Sequence, residues 1–512
     1  MRDFRIGVVA GCAFLVVELL VRLVAGVPSV PELLQDRLVL LAPGPVFSFF
    51  LDRLYYLGKP LFFTGMLVLQ LVLAGVGGVV VARWRRPVAL AAILWLLTGF
   101  VIFPIFGRGV FANHVSVAVA TFIAFGAYAL ALIYYGGAPM GSAIRTTAES
   151  AETTGNTLGG PANPERRLLL GGGVSLLVSI VLGREVIGAL PTVTSNAATT
   201  STNPAPPSPT AGIAAASSPP LPAGVTPISD FYEVSKNLVD PVVSAKSWHL
   251  TVDGLVDHPL SLTYEQILAQ PSVVAYRTLE CISNPVGGNL ISNGRWRGTR
   301  MADLLNQAKI QSGADVVNFT SVDGYTESMP LAKALDPTTL LAYHLDDQPL
   351  PAKHGFPLRV LGTGTYGMKN PKWLSRMEVA KTASTGFWVQ QGWSKTAIVL
   401  TMSEFTEPPQ GHQAKVGPVA VKGVAFSGAR GIRRVEVSTD SGKTWQAAHL
   451  ESSLGRFTWV LWDFPWHPTK PGNYSLVVRA TDGTGQVQTS RTMDTFPNGA
   501  TGYDQINVLI TS

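Results

Sequence analysis

The sequence predicts a multidomain chain: an N-terminal bundle of five transmembrane helices, then an α+β globular domain, then an immunoglobulin-like β-sandwich. Three observations carry this expectation. The long apolar runs all fall before Leu190, an uncharged Ser/Thr/Ala/Pro-rich stretch follows, and the remainder alternates short strands with Gly/Pro turns. The expected boundaries are 1–190 for the anchor, 191–227 for the linker, 228–402 for the α+β domain and 403–512 for the sandwich. A chain of 512 residues has room for this many units.

The anchor rests on five apolar stretches, at residues 6–24, 60–82, 87–107, 109–144 and 168–190. Crossing ~30 Å of hydrocarbon takes roughly 20 apolar residues, so each is long enough. The segment 38–51 is shorter and broken by Pro and Gly, and reads as an interfacial or re-entrant piece. Arg2 and Arg5, then Arg83, Arg85 and Arg86, then Arg145, Arg166 and Arg167 all fall on one side if the N-terminus is cytoplasmic. Five spans then place the soluble half on the extracytoplasmic side of the cytoplasmic membrane. Glu18 and Arg22, at i and i+4 in the first span, are expected to neutralise each other.

The fifth span opens with Pro164-Glu165-Arg166-Arg167-Leu168-Leu169-Leu170. A twin-arginine pair before a Gly-rich, modestly apolar stretch resembles the signal that directs export of folded proteins. Two basic residues obeying the positive-inside rule would look the same. His114 is the only histidine before His249, so a haem with two axial imidazoles has no second ligand in the anchor, and no haem is expected in this chain. Residues 191–229 carry no charge and cannot bury a core, which makes them a tether.

The net charge of +6 is not gathered into a basic stripe with interleaved aromatics, which excludes nucleic acid as a partner. The two cysteines lie far apart, Cys12 in an apolar run and Cys281 in the soluble half, so a disulfide scaffold is excluded too.

In the soluble half, residues 248–256 alternate apolar and polar side chains and read as a strand, and 259–262 as a second. Thr263-Tyr264-Glu265-Gln266 has the pattern of a capping box opening a short helix. The strand at 273–279 then delivers Glu280-Cys281-Ile282-Ser283-Asn284 to a Pro/Gly-rich loop. By itself Cys281 leaves three readings open: a small buried hydrophobe, a nucleophile with a histidine partner, or a ligand to a soft metal. From Ser403 the pattern is all-β. Residues 419–426, 432–438, 457–462 and 474–480 alternate at strand period between Gly-rich turns, as in an immunoglobulin-like sandwich.

Longer motifs narrow the choice. Thr278-Leu279-Glu280-Cys281-Ile282-Ser283-Asn284, with Trp296-Arg297-Gly298 and Leu304-Leu305 after it, resembles the molybdenum-binding loop of the sulfite oxidase and sulfoxide-reductase family. His354-Gly355-Phe356-Pro357-Leu358-Arg359-Val360 leads through Tyr366-Gly367 to Lys369-Asn370-Pro371-Lys372-Trp373-Leu374, which resembles that family's pterin-phosphate site. Val322-Asp323-Gly324-Tyr325 and Ser328-Met329-Pro330-Leu331 are similar to the segment lining its metal pocket. Asp440-Ser441-Gly442-Lys443-Thr444-Trp445 and Arg479-Ala480-Thr481-Asp482 resemble its C-terminal dimerisation domain. The resemblance covers about residues 228–510 and none of the anchor.

It implies a sulfite-oxidase-type molybdopterin domain, a molybdenum–molybdopterin cofactor, and two-electron oxygen-atom transfer on a small, sulfur-containing substrate. Cys281 would be the protein's ligand to the metal and, with Tyr325 beside the substrate, form the catalytic pair. Tyr232, Glu233, Asp323, His354, Arg359, Asn370 and Lys372 would contact the cofactor, with Arg359 and Lys372 on its phosphate. A homodimer through the C-terminal domain, a small-molecule substrate and an electron-transfer partner not identified by the sequence complete the expectation. The chain also departs from the family. Sulfite oxidases continue the cysteine loop into paired arginines that help bind the anion, whereas Pro285 and Val286 stand here, and Ser235 and Lys236 occupy the region of an upstream arginine. Two alternatives therefore stay open: reduction of a sulfoxide, or a membrane-tethered binding protein without activity.

Overall fold

In the computed structural model the described residues are 1–25, 27–34, 58–106, 109–136, 178, 222–237 and 240–512. They form two compact units, one holding the apolar helices and the other holding residues 240–512.

The helical unit contains α1 (Arg2–Ala25), α2 (Gly58–Trp84), α3 (Pro87–Leu97) and α4 (Val115–Gly136). α3 opens on Pro87, whose missing N–H lies where a helix leaves donors unused, and it runs through a π turn at Thr98–Ile102 to Ile105. Four helices are long and apolar enough to cross a membrane by length and composition, and they coincide with the first four expected spans. The fifth span, the Arg166–Arg167 pair, the 38–51 segment and most of the linker lie outside the described residues. α1 and α2 meet through small residues. A Cβ on Gly7 would fall 2.4 Å from the Ala74 carbonyl oxygen, and one on Gly78 would fall 2.6 Å from the Gly7 Cα. In lipid such close backbone approach supplies the packing that hydrophobicity cannot.

The expected Glu18–Arg22 pair does not form. Arg22 Nε donates instead to Glu32 at 2.9 Å, while Glu18 accepts the Val30 amide at 2.6 Å and the Gln70 side chain at 3.4 Å. The turn after α1 brings a second carboxylate that i, i+4 spacing cannot reveal.

The soluble unit begins with ten strands: β1 (His249–Gly254), β2 (Leu260–Thr263), β3 (Ser272–Glu280), β4 (Ile291–Arg300), β5 (Val316–Ser321), β6 (Thr326–Pro330), β7 (Leu340–Leu345), β8 (Gln348–Pro349), β9 (Arg359–Leu361) and β10 (Leu374–Ala380). One sheet runs β2-β1-β10-β5-β6, and a second runs β3-β4-β7-β8 with β9 paired to β7. Helix α5 (Tyr264–Leu268) starts on the expected capping box: Thr263 N donates to Gln266 Oε1 at 2.8 Å, and Gln266 N to Thr263 Oγ1 at 3.3 Å. Helix α6 (Met301–Ala308) buries Met301, Leu304, Leu305 and Ala308 at i, i+3, i+4 and i+7, the stripe that fits one helix face. Those side chains join Leu250, Val252, Val317, Leu341, Val360 and Met377 in one core, which fixes where the loops carrying the motifs emerge.

The C-terminal domain is β-rich, with two sheets. Met402–Glu407, Val419–Phe426, Val460–Trp466 and His449–Leu450 form one; His412–Lys415, Asp504–Thr511, Gly472–Asp482, Ile432–Ser438 and Gln446–Ala447 form the other. Inward Val421, Val435, Trp462, Leu476, Val508 and Ile510 fill the space between them. The strand expected at 457–462 begins only at Val460. Residues 457–459 bind the other domain instead: Thr278 N donates to the Phe457 carbonyl at 3.0 Å, and Trp459 N to Thr278 Oγ1 at 2.8 Å.

Candidate functional site

Strands β3 and β4 are antiparallel with Glu280 opposite Ile291, so Cys281 is the first residue past the ladder. Its N–H donates to the Leu290 carbonyl at 2.9 Å and closes the loop. Asn284 braces the interior, accepting the Leu290 amide at 2.9 Å and donating to Glu280 Oε1 at 3.4 Å. Gly287 sits at φ +68°, and a Cβ there would meet Asp504 Oδ1 at 2.6 Å, so the loop needs glycine at that point. None of this scaffold uses the Cys281 sulfur. The thiol is half-buried and lies 3.0 Å from Ser283 Oγ. Burial pushes the thiol pKa up, against the Ser283 hydrogen bonds. The same burial raises the Glu280 carboxyl to about 8, partly offset by Asn284.

The β5–β6 turn supplies the opposite wall. Asp323 Oδ1 accepts the Tyr325 amide at 3.0 Å and sets the turn, with Gly324 at φ +77°. The Tyr325 phenol is buried and donates to the Met368 carbonyl at 2.7 Å. Burial raises its pKa well above the usual range, and the charges of Glu327, Asp323 and Cys281 add to that.

The segment 351–373 brings the basic groups. His354 is 2 % exposed, its ring edge-on to Phe231 at 5.3 Å, with Nε2 buried and without a partner. Burial, then the charges of Lys372, Arg359 and Lys353, push its pKa well down, so the imidazole is neutral. Arg359, 5 % exposed at the start of β9, donates to the His354 carbonyl at 3.1 Å and the Asn370 carbonyl at 3.4 Å. Its guanidinium lies 5.2 Å from the Trp296 ring centre, and its Nε is buried without a partner. Burial lowers its pKa to about 10, against the pull of Tyr232. Lys372 Nζ donates to the Lys353 carbonyl at 2.8 Å and lies 4.4 Å over Trp373. Burial lowers its pKa as well, with Asp240 opposing.

Tyr232 and Glu233 enter from the preceding segment. Tyr232 stacks on Phe231 at 5.9 Å, and its amide donates to Ser292 Oγ at 3.0 Å. Its phenol is raised well above the usual range by burial and then by the Cys281 charge, while Arg359 opposes. Glu233 pairs with Lys353. A Cβ on Gly367 would fall 2.8 Å from the Tyr232 hydroxyl and 3.4 Å from the Glu280 carbonyl, so glycine lets three segments close on one point. Asn370 bonds to the chain itself, accepting the Gly362 amide at 2.6 Å and donating to the Tyr366 carbonyl at 3.2 Å. The structure therefore brings every expected site residue into one linked cluster, with Asn370 as a brace of the loop.

Among the described residues no carboxylate lies within 4 Å of the Arg359 or Lys372 charge. Arg359 is buried and Lys372 part-buried, and a charge held out of water without a carboxylate in contact costs free energy, so these cations beside the unpartnered His354 Nε2 mark a cradle for an anionic group. Cys281 fits the same picture: burial favours the neutral thiol, and a soft metal would hold the thiolate.

One feature escaped the sequence. Lys369 Nζ pairs with Glu327 Oε1 at 2.6 Å, both side chains at most 10 % exposed, two residues beyond Tyr325 and one beyond Met368. Lys369 stands inside a quoted motif and Glu327 between two of them, but 42 positions of separation hide their meeting. Lys369→Met should strand the Glu327 carboxylate and lower stability at neutral pH by about 3–5 kcal/mol, and adding Glu327→Gln should recover most of it. Denaturant unfolding of the three proteins checks this; an unchanged midpoint in the single variant would contradict a buried ion pair.

A family model described as an oxidoreductase molybdopterin binding domain matches residues 237–388, and one described as a molybdenum-cofactor oxidoreductase dimerisation domain matches residues 396–496. The chain is 35% identical over 146 residues to an uncharacterized oxidoreductase, YuiH, of Bacillus subtilis, covering 28% of this chain and 72% of that one. It is 31% identical over 312 residues to the mitochondrial sulfite oxidase of Rattus norvegicus, covering 52% of this chain and 57% of the rat protein. The chain belongs to the sulfite oxidase family of molybdopterin oxidoreductases. It spans little more than half the length of the rat relative. The sulfane dehydrogenase SoxCD of Paracoccus pantotrophus shares the fold, with a TM-score of 0.51 over 56% of this chain and 81% of that one at 22% identity. Family membership matches the cradle built above: a molybdopterin phosphate is an anionic group of the required kind.

Proposed function

We propose that the chain is a membrane-anchored, molybdenum-cofactor-dependent oxidoreductase that carries out two-electron oxygen-atom transfer on a small sulfur-containing substrate outside the cytoplasmic membrane. The observation that carries this is the cradle of the buried Arg359 and the part-buried Lys372, neither with a carboxylate in contact among the described residues, in the same linked cluster as the half-buried Cys281 thiol. Arg359 and Lys372 would hold the phosphate, His354, Tyr232, Glu233 and Asp323 the pterin region, and Cys281 the metal. The bound cofactor supplies the redox chemistry; the protein supplies orientation and charge. Tyr325 orients the reacting groups from the Met368 side, and Asn370 keeps the phosphate loop closed. A non-catalytic scaffold needs none of these buried charges. The domain boundaries proposed are 1–190, 191–227, 228–402 and 403–512, the last an immunoglobulin-like sandwich that forms the homodimer. Redox equivalents pass to an electron-transfer partner. Turnover of the purified full-length protein with sulfite and with organic sulfoxides tests the reading; no two-electron reaction with either would contradict it.

The reverse direction, sulfoxide reduction, is the second reading, favoured by the uncharged Pro285 and Val286. Export follows from cofactor chemistry. A cofactor assembled in the cytoplasm must be enclosed before the domain crosses, so the fifth span is handed through Arg166 and Arg167 to the folded-protein pathway. Replacing both with lysine keeps the charge and removes the specific signal. Protease added to spheroplasts should then spare the soluble half; digestion as complete as in the parent would mean that the arginines serve topology alone.

A further inference from the structure

The cradle is closed around its basic groups, and one of its walls is built differently from the others. His354 is 2 % exposed and Arg359 5 %, so a group the size of a molybdopterin reaches neither side chain unless part of the chain moves. The Cys281 loop, the Tyr325 turn and the segments 350–358 and 362–373 are each held by strands at both ends. Residues 224–233 are not: they follow the charge-free tether and precede β1. A segment outside any sheet opens at lower free energy than one tied into strands on both sides.

This strap carries Phe231, Tyr232 and Glu233 into the cradle. The Phe231 ring is edge-on to His354 at 5.3 Å and to Trp296 at 5.6 Å, and the Arg359 guanidinium lies 5.2 Å from the centre of that same Trp296 ring. A Cβ on Gly294 would fall 3.0 Å from the Phe231 ring and 2.5 Å from Leu345, so β4 carries glycine where the ring lies. The Tyr232 amide donates to Ser292 on the same strand, and Glu233 pairs with Lys353 of the neighbouring wall.

Upstream, the strap is pinned by both domains of the soluble unit at once. The Gly224 carbonyl accepts Asn293 Nδ2 at 2.8 Å and Trp459 Nε1 at 2.9 Å. Asn293, fully buried on β4, also accepts the Thr226 amide on its carbonyl at 2.8 Å, and its own amide donates to Thr226 Oγ1 at 3.1 Å. Its Oδ1 accepts the Thr278 hydroxyl at 3.0 Å, and Thr278 Oγ1 in turn accepts the Trp459 amide at 2.8 Å. Gly224 stands at φ +81°, a conformation that favours glycine, and so presents its carbonyl to both donors. Trp459 lies in the dimerisation-domain match, residues 396–496, and not in the molybdopterin-binding match. A side chain of the C-terminal domain thus holds the segment that reaches into the cradle.

We propose, on the molybdenum reading above, that residues 224–233 are a strap that opens to admit the molybdopterin and closes over it, and that Trp459, through the Gly224 carbonyl, is the latch that keeps it closed. The C-terminal domain then has a part in retaining the cofactor that is separate from dimer formation. A cofactor assembled in the cytoplasm is not replaced once the domain is outside, and slow release is what such a latch supplies.

The test uses the full-length, cofactor-loaded protein in detergent and follows the molybdenum retained after dilution and gel filtration, with amide hydrogen exchange on the same samples. Trp459→Phe keeps an aromatic ring and removes the Nε1 donor. Loss of one hydrogen bond corresponds to roughly threefold to tenfold, so molybdenum should leave that much faster, with the faster exchange confined to residues 224–233. Thr226→Val, which removes the hydroxyl that the Asn293 amide meets, should act in the same direction, and it serves alone if Trp459→Phe fails to fold. Trp462→Phe trims an indole in the core of the same domain, whose Nε1 makes no hydrogen bond, and should release molybdenum at the parent rate. Release at the parent rate from both strap variants, or release from Trp462→Phe as fast as from Trp459→Phe, would overturn the latch while leaving the cofactor reading intact. Parent protein without molybdenum would overturn the cofactor reading, and this proposal with it.

Discussion

Cys281→Ser is expected to leave the fold intact and abolish turnover. The loop is closed by the Cys281 amide on Leu290 and by Asn284 on the same residue, at 2.9 Å each, and neither bond involves the sulfur. The sulfur itself meets Ser283 Oγ at 3.0 Å, an interaction that a serine hydroxyl can nearly reproduce. Chemically the change is large, because a hydroxyl neither ionises near neutral pH nor suits a soft metal as a thiolate does. Unfolding midpoint and turnover with an artificial electron acceptor check the two halves separately. Full activity with an unchanged midpoint would remove Cys281 from the centre.

Arg359→Ala and Lys372→Ala are expected to lower the molybdenum content of the purified protein. Each loses a charge-assisted contact worth about 1.5–3 kcal/mol, which corresponds to roughly tenfold or more in cofactor affinity. The two substitutions differ in collateral effect. Arg359 also donates to the His354 and Asn370 carbonyls and stacks on Trp296, so its removal loosens the loop as well. Lys372 donates to one backbone carbonyl, that of Lys353, and is the cleaner probe. Lys372 is part-buried and has no carboxylate in contact, so Lys372→Ala should change the stability of the cofactor-free protein little, while the loaded protein loses stability. Unchanged molybdenum in both variants would contradict the phosphate cradle.

Much of this architecture was legible in the sequence because local rules decide it. Four apolar stretches became four helices, and the Thr263–Gln266 capping box and the strand that delivers Cys281 formed where periodicity placed them. The candidate site residues rest on motifs, since no periodicity links Cys281 to Arg359 or Tyr325. What stayed hidden depends on long-range partners. Arg22 turned to Glu32, and Phe457 to Trp459 left their expected strand to bind Thr278. Lys369 found Glu327 across 42 residues, and the Tyr325 phenol found the Met368 carbonyl. Each of these is a buried polar group meeting its requirement for a partner, and the partner is supplied by topology rather than by spacing.

The central claim is that the cradle of Arg359, Lys372 and His354, with Cys281 beside it, holds a molybdopterin and its metal. Metal and pterin analysis of the full-length protein, produced in cells that make the cofactor, tests this most directly. The account predicts molybdenum and pterin in amounts equimolar with the chain, both depleted in Lys372→Ala. Protein that folds fully and carries neither, from cells whose other molybdenum enzymes are loaded, would contradict it.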